Sequence, residues 1–230
     1  MEIERGSRVD TRDIDITRRA VLRVAGIVAT SLGVAGLLLP ALAGPAASQP
    51  PMKIGIIGAG RIGGSLGEHR VKAGHDVLLS SRHPENLKEL ADRLGPRAHA
   101  GTPREAAAFG DVILVSVPYG ALPQVGRDYA SELRGKVVLD PANPFPGRDG
   151  AVAEDARRKG TGVASAEHLP GGRLVRAFNT IPASVLRGEA HRAAERIAVP
   201  LAADDRRHRT IREVAERPAA TAIARERGLA

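Results

Sequence analysis

From residue 52 onward, short apolar runs alternate with stretches whose apolar residues recur every three to four positions. That alternation predicts a parallel sheet covered by helices on both faces. "KIGIIG" predicts a first strand, and "RIGGSLGEHRVKA" a helix with Ile62, Leu66 and Val71 toward the sheet. "DVLLSS" predicts a second strand, followed by the helix "PENLKELADRL", opened by Pro84 and closed by Gly95-Pro96. A weaker third strand is expected at 97–100, a short helix at "PREAAAF", and a strand buried on both faces at "DVILVSVP". "LPQVGRDYASEL" then predicts a helix and "KVVLDP" a fifth strand. "RLVRAFN" and "RIAVPLA" predict two more strands, separated by "IPASVLRGEAHRAAE", before a final helix "DRRHRTIREVAER" and an Ala/Arg-rich tail. The expected fold class is α/β, a doubly wound parallel sheet over residues 52–203, with residues 204–230 forming a C-terminal helix and a divergent, short extension.

The segment before this domain has a different pattern. Val24 to Ala43 carries no charge, follows the arginine-containing stretch "ITRRAVLR", and ends in the small residues of Ala41-Leu42-Ala43. This arrangement fits a signal peptide over residues 1–43, cleaved before Gly44, with residues 44–51 as a linker. Thr17, Arg18, Arg19, Val21 and Leu22 match a twin-arginine signature, so export by the twin-arginine machinery is expected. The competing reading is an uncleaved anchor, because the uncharged run is long enough to span a hydrocarbon core of about 30 Å. Pro40 and the many Gly and Ala residues favour cleavage. The membrane is then met only through the leader.

Composition narrows the chemistry. Across 230 residues there is no cysteine, which excludes disulfides, zinc-thiolate sites, iron–sulfur clusters and cysteine nucleophiles. The net charge of +8 is scattered rather than gathered into a stripe, and only three Phe, two Tyr and no Trp are present. Nucleic-acid binding by a basic face with stacking aromatics is therefore not expected. The seven His residues form no metal-binding pair by spacing, and there is no G-x-S-x-G nucleophile elbow.

The informative residues lie at the predicted strand ends. "GAGRIG" places Gly58, Gly60 and Gly63 in the G-x-G-x-x-G spacing, after a strand and opening a helix, which is the context of a Rossmann dinucleotide site. Gly58 permits the tight turn, Gly60 lets the backbone approach a pyrophosphate, and Gly63 allows close helix–strand packing. The N–H groups of Gly60, Arg61 and Ile62 would face the anion. The second strand ends in Ser80-Ser81-Arg82-His83, not in the carboxylate that binds a ribose 2′-hydroxyl. A hydroxyl from Ser81 and the Arg82 guanidinium suit a 2′-phosphate, so NADP(H) is the expected cofactor. Pro118 and Tyr119 of "SVPYG", Asn143 and Phe145 of "DPANPF", and Phe178, Asn179, Thr180 and Pro182 of "AFNTIP" are expected over the crevice. Tyr119 and Phe145 are the stronger candidates for ring contact, since Phe178 could equally be core. No acid–base set is required for hydride transfer, in which the cofactor carries the chemistry and the protein orients it.

Taken in order, "MKIGIIGAGRIGGSLGEHRVKAGHDVLLSSR", "VILVSVPYGAL", "VVLDPANPFPGRDG", "LVRAFNTIPASVL" and "VPLAADD" resemble the NADPH-dependent reductases of the deazaflavin coenzyme F420. The resemblance runs from about Met52 to about Glu216. It implies hydride transfer between NADP(H) and the deazaflavin, in a protein that is usually dimeric. By motif match, Ala59, Gly60, Arg61 and Ile62 would hold the pyrophosphate, and Ser81 and Arg82 the 2′-phosphate. Pro118, Tyr119, Ala142 and Asn143 would border the nicotinamide half, with the loop from Asn179 to Pro182 near the hydride acceptor. The chain departs from the family in its leader and in its closing "RPAATAIARERGLA", where members carry a further strand, loop and helix. The departure leaves two alternatives open: a non-catalytic NADP(H) carrier or sensor, and a reductase of a small imine or carbonyl compound.

Overall fold

The computed structural model describes residues 50–190 and 199–203. The leader and the C-terminal helix and tail expected from the sequence lie outside the described residues.

Strand β1 (Lys53–Ile57) enters helix α1 (Arg61–Lys72) through the glycine turn. β2 (Asp76–Ser80) follows, then a 3-10 turn over Pro84–Leu87 continuing into α2 (Lys88–Leu94), which Gly95 ends at φ 93°. β3 (Ala98–Gly101) leads to α3 (Pro103–Phe109), and β4 (Val112–Val115) to a 3-10 turn at Tyr119–Ala121. The single helix expected at "LPQVGRDYASEL" is two, α4 (Leu122–Asp128) and α5 (Ala130–Leu133), because Tyr129 between them leaves helical geometry at φ −124°. β5 (Val137–Asp140) is followed by α6 (Pro146–Lys159) and α7 (Thr161–His168), which the apolar pattern did not disclose. β6 (Arg173–Arg176), α8 (Ala183–Glu189) and β7 (Ala202–Ala203) complete the described elements.

The strands form one sheet in the order β3-β2-β1-β4-β5-β6-β7. All neighbours are parallel except β6 and β7, so the expected doubly wound α/β fold is present. The last strand overlaps the expected "RIAVPLA" only at Ala202; residues 199–201 are not strand, and 196–198 lie outside the described residues. β6 stops at Arg176 because Phe178 turns to a left-handed φ of 64°, which ends extended pairing.

Two cores cover the two faces of the sheet. One packs Ile57, Ile113, Val115 and Val138 with Tyr119, Leu122, Leu133 and Leu169, and the other packs Ile54, Ile56, Val77 and Leu79 with Leu66, Phe178 and Leu186. Ile62 and Val71 are half-buried against the second core, as the helical spacing predicted. Helix α3 is satisfied at both ends. Thr102 and Glu105 close a capping box on α3, and the Lys136 ammonium donates to the carbonyls of Ala107 and Ala108 at the other end of that helix.

Candidate functional site

β1 lies between β2 and β4, so the chain leaves it to one side and returns to the other. A crevice opens at the carboxyl ends of strands where the order reverses in this way. Gly58 sits at that point with φ 94°, and its N–H and that of Ala59 both donate to Ser80 O, at 3.1 and 2.8 Å. A side chain on Gly58 would meet Ser116 O at 2.4 Å, and one on Gly63 would meet Gly58 O at 2.1 Å, so helix α1 can lie this close only on glycine. At Gly60, by contrast, a Cβ would meet nothing within 4 Å. Gly60 is the N-cap of α1 with no side-chain capping bond, and the first turn carries no acidic residue. An uncapped N-terminus of a twelve-residue helix beside open space suits an anion such as a pyrophosphate.

At the end of β2, Ser80 turns inward, donating its hydroxyl to Ile56 O at 2.7 Å. Ser81 accepts the His83 N–H at 3.0 Å, which leaves its own O–H free to donate outward, and Arg82 is exposed with no ion-pair partner among the described residues. His83 and Glu85 pair with each other on the surface. Gly58, Ala59, Gly60, Arg61, Ile62, Gly63, Ser81 and Arg82 are thus gathered along one edge of the crevice, on the turn after β1 and the end of β2.

The loops after β4, β5 and β6 form the other half. Pro118 is exposed, but Tyr119 corrects the sequence expectation. Its ring is fully buried, stacked edge-on to His168, with its hydroxyl bonded to Thr161 O at 3.3 Å and Ser165 Oγ at 3.2 Å. The 3-10 turn starting at Tyr119 directs the side chain into the core, so only its backbone can border a ligand. Phe178 is core as well. Phe145 is the ring that remains, 54% exposed with the Arg148 guanidinium 5.0 Å from its centre.

Sequence reasoning missed the groups that fix these loops. Asp140 and Arg176 are buried register partners at the ends of β5 and β6, joined at 2.5 Å. Asp140 also accepts the Ala142 N–H at 2.8 Å, while Arg176 donates to Ala142 O at 2.7 Å and to Ser165 Oγ at 3.0 Å. Burial pushes the Asp140 carboxyl upward from its ordinary range, against the pull of Arg176 and the Ala142 N–H. Asn143 donates to Asn179 O at 2.6 Å, tying the β5 loop to the β6 loop. The only signal in the sequence was an opposite charge at the end of each of two apolar strands.

Asp149, on the first turns of α6, is the second tie. Its carboxylate accepts from Gly120 N at 3.0 Å, from Phe145 N at 3.0 Å and from Nε and Nη2 of Arg148. The Arg148 hydrogen bond is the main reason its pKa falls to about 2, with the two backbone N–H groups adding to it. A carboxyl depressed in the folded state contributes stability that is complete above its unfolded pKa and is lost as the pH falls through the folded one. The wild type should therefore lose about 2 kcal/mol of stability relative to Asp149→Asn between pH 4 and pH 2. Urea midpoints measured in parallel across that range check this, and parallel curves for the two proteins would show that the tie carries no such energy.

Comparison with known proteins agrees with the fold. Residues 53–144 match the family model described as NADP oxidoreductase coenzyme F420-dependent. An F420-dependent NADP reductase of Methanothermobacter thermautotrophicus is 28% identical over 176 residues, covering 66% of this chain and 76% of that protein. The rat metalloreductase STEAP3 is 30% identical over 141 residues, covering 58% of this chain but only 26% of the rat protein. A solved structure from Arthrobacter sp. FB24 superposes with a TM-score of 0.61 at 22% identity, over 74% of this chain and 80% of that one, and shares its fold.

Proposed function

We propose that this chain is an oxidoreductase that binds NADP(H) and exchanges hydride with a deazaflavin of the F420 type or a flavin-like acceptor. The observation that carries the proposal is the pairing of an uncapped glycine turn at the switch point with Ser81 and Arg82, rather than a carboxylate, beside it. The match of residues 53–144 to a family described by that cofactor and that acceptor supports it.

NADP(H), when bound, supplies or accepts the hydride. The chain's own residues bind and orient. The α1 N-terminus and the Gly58 to Gly63 turn take the pyrophosphate, with Ala59, Arg61 and Ile62 contributing backbone. Ser81 and Arg82 take the 2′-phosphate. Pro118, Ala142 and Asn143 border the nicotinamide half, and the exposed Phe145 ring offers an apolar face at the rim. No side chain is asked to move a proton in the hydride step itself.

Mixing the purified protein with NADPH and oxidised deazaflavin, and following the acceptor absorbance, tests the activity. Turnover supports the proposal. Tight NADPH binding without turnover on any flavin-like acceptor would instead identify a carrier or sensor, and turnover on imines or small carbonyl compounds would move the substrate class.

Cofactor choice has its own test. Arg82→Ala should weaken NADPH binding by about tenfold or more, the equivalent of one charge-assisted phosphate contact, while NADH affinity changes little. Equal losses for both dinucleotides would refute the 2′-phosphate assignment.

We further propose that the leader is of the twin-arginine type and that the domain folds before export. Replacing Arg18 and Arg19 together by Lys should retain the protein in the cytosol of its host while leaving NADPH affinity intact. Export of that variant at the normal level would sink the proposal.

A further inference from the structure

We infer that Arg176 and Asp140 form a positioning pair that sets the nicotinamide half of the crevice by fixing the backbone of Ala142 on both sides of its Cα, an inference that rests on the NADP(H) reading above. Ala142 follows β5 by two residues and is 8% exposed, so its N–H and C=O have little access to water. A peptide group in that position needs protein partners. Asp140 takes its N–H and Arg176 its C=O, and the two side chains are themselves joined. Both backbone polar groups of one residue, in the two peptides that flank its Cα, are therefore held by one ion pair, at the strand ends nearest the crevice.

A buried ion pair is a poor source of stability, because the desolvation of both charges offsets their attraction. Here its donors and acceptors converge on a single backbone unit, and its effect is geometric. The residue after that unit, Asn143, reaches across to Asn179 O in the loop after β6. Fixing Ala142 therefore fixes the origin of that bridge, and with it two of the three loops that border the nicotinamide half. The third joins through Ser165, whose hydroxyl contacts both Arg176 and the Tyr119 phenol after β4. The glycine turn and Ser81-Arg82 bond through other residues, Ser80 and His83, and do not depend on the pair.

The two halves of the cofactor can be read separately. The full chain is titrated with NADPH and with 2′-phospho-ADP-ribose, which lacks the nicotinamide, in wild type and in the paired replacement Asp140→Leu with Arg176→Met. The paired change removes both charges and keeps apolar bulk, so no lone ion is left buried. Affinity for 2′-phospho-ADP-ribose should stay within about twofold of wild type, and affinity for NADPH should fall about tenfold, as for the loss of one or two orienting hydrogen bonds. Ser165→Ala, which keeps the ion pair, is the second variant and should shift NADPH in the same direction by about threefold with the fragment unchanged. Equal weakening of both ligands, or no change in either, overturns the positioning role. Wild type that binds neither ligand overturns the NADP(H) reading and this inference with it, and is distinguished from the first case because it appears before any substitution.

Discussion

Gly63→Ala is expected to destabilise the domain and abolish dinucleotide binding together, whereas Gly60→Ala should abolish binding alone. A Cβ at residue 63 would lie 2.1 Å from Gly58 O, a backbone atom that cannot rotate away, and 3.2 Å from an Ile56 methyl. Helix α1 would have to lift from β1, at a cost of about 2–3 kcal/mol, the upper range for overpacking. For a chain of this size that corresponds to a fall in melting temperature of roughly 5–10 °C. The same lift moves the helix N-terminus away from the crevice. At Gly60 the added methyl enters open space, so the fold should tolerate it, but the methyl then occupies the approach of the pyrophosphate. Thermal melts paired with NADPH titrations separate the two effects. A Gly63→Ala protein that melts with wild type, or a Gly60→Ala protein that binds NADPH with wild-type affinity, would contradict the close-approach account.

Asp140→Ala should be the most damaging single change in the crevice loops. It leaves the Arg176 guanidinium buried without its carboxylate and the Ala142 N–H without an acceptor. Removing one member of a buried pair typically costs about 3–5 kcal/mol. The paired replacement Asp140→Leu with Arg176→Met should be more stable than Asp140→Ala, although it deletes more polar contacts, because it leaves no uncompensated charge. Denaturant unfolding of the three proteins gives the order, and a paired variant less stable than the single one would mean that the lone buried guanidinium carries no such penalty.

Much of the scaffold was legible because large apolar side chains mark it. Ile54, Ile56, Val77, Leu79 and the run from Ile113 to Val115 are strand residues buried in a parallel sheet, and the G-x-G-x-x-G turn falls where a strand gives way to a helix. Helices α6 and α7 stayed hidden for the opposite reason. Their buried face is built from alanines, Ala153, Ala156 and Ala164, while Gly150 and Gly160 interrupt the pattern, so the apolar stripe is too thin to read. Tyr119 was misplaced because position along the chain says that a residue is at a strand end but not which way its ring turns. The Asp140–Arg176 pair and the Asp149 tie were missed because a charge beside a turn reads as a solvated one; the register of β5 against β6 shows otherwise for the pair, and the bonds to the Gly120 and Phe145 N–H groups for Asp149.

The buried phenol of Tyr119 has a practical consequence. The chain has two tyrosines and no tryptophan, so its ultraviolet emission comes from tyrosine, unmasked by indole. One emitter, Tyr119, is sealed within the crevice network through Ser165, and the other, Tyr129, lies half-buried near the Arg104 guanidinium, 5.3 Å from its ring centre. Replacing Tyr129 with phenylalanine would leave a single native fluorophore, buried behind the loop after β4 and bonded to Ser165. Loosening of those loops could then be followed by light, without attaching any label.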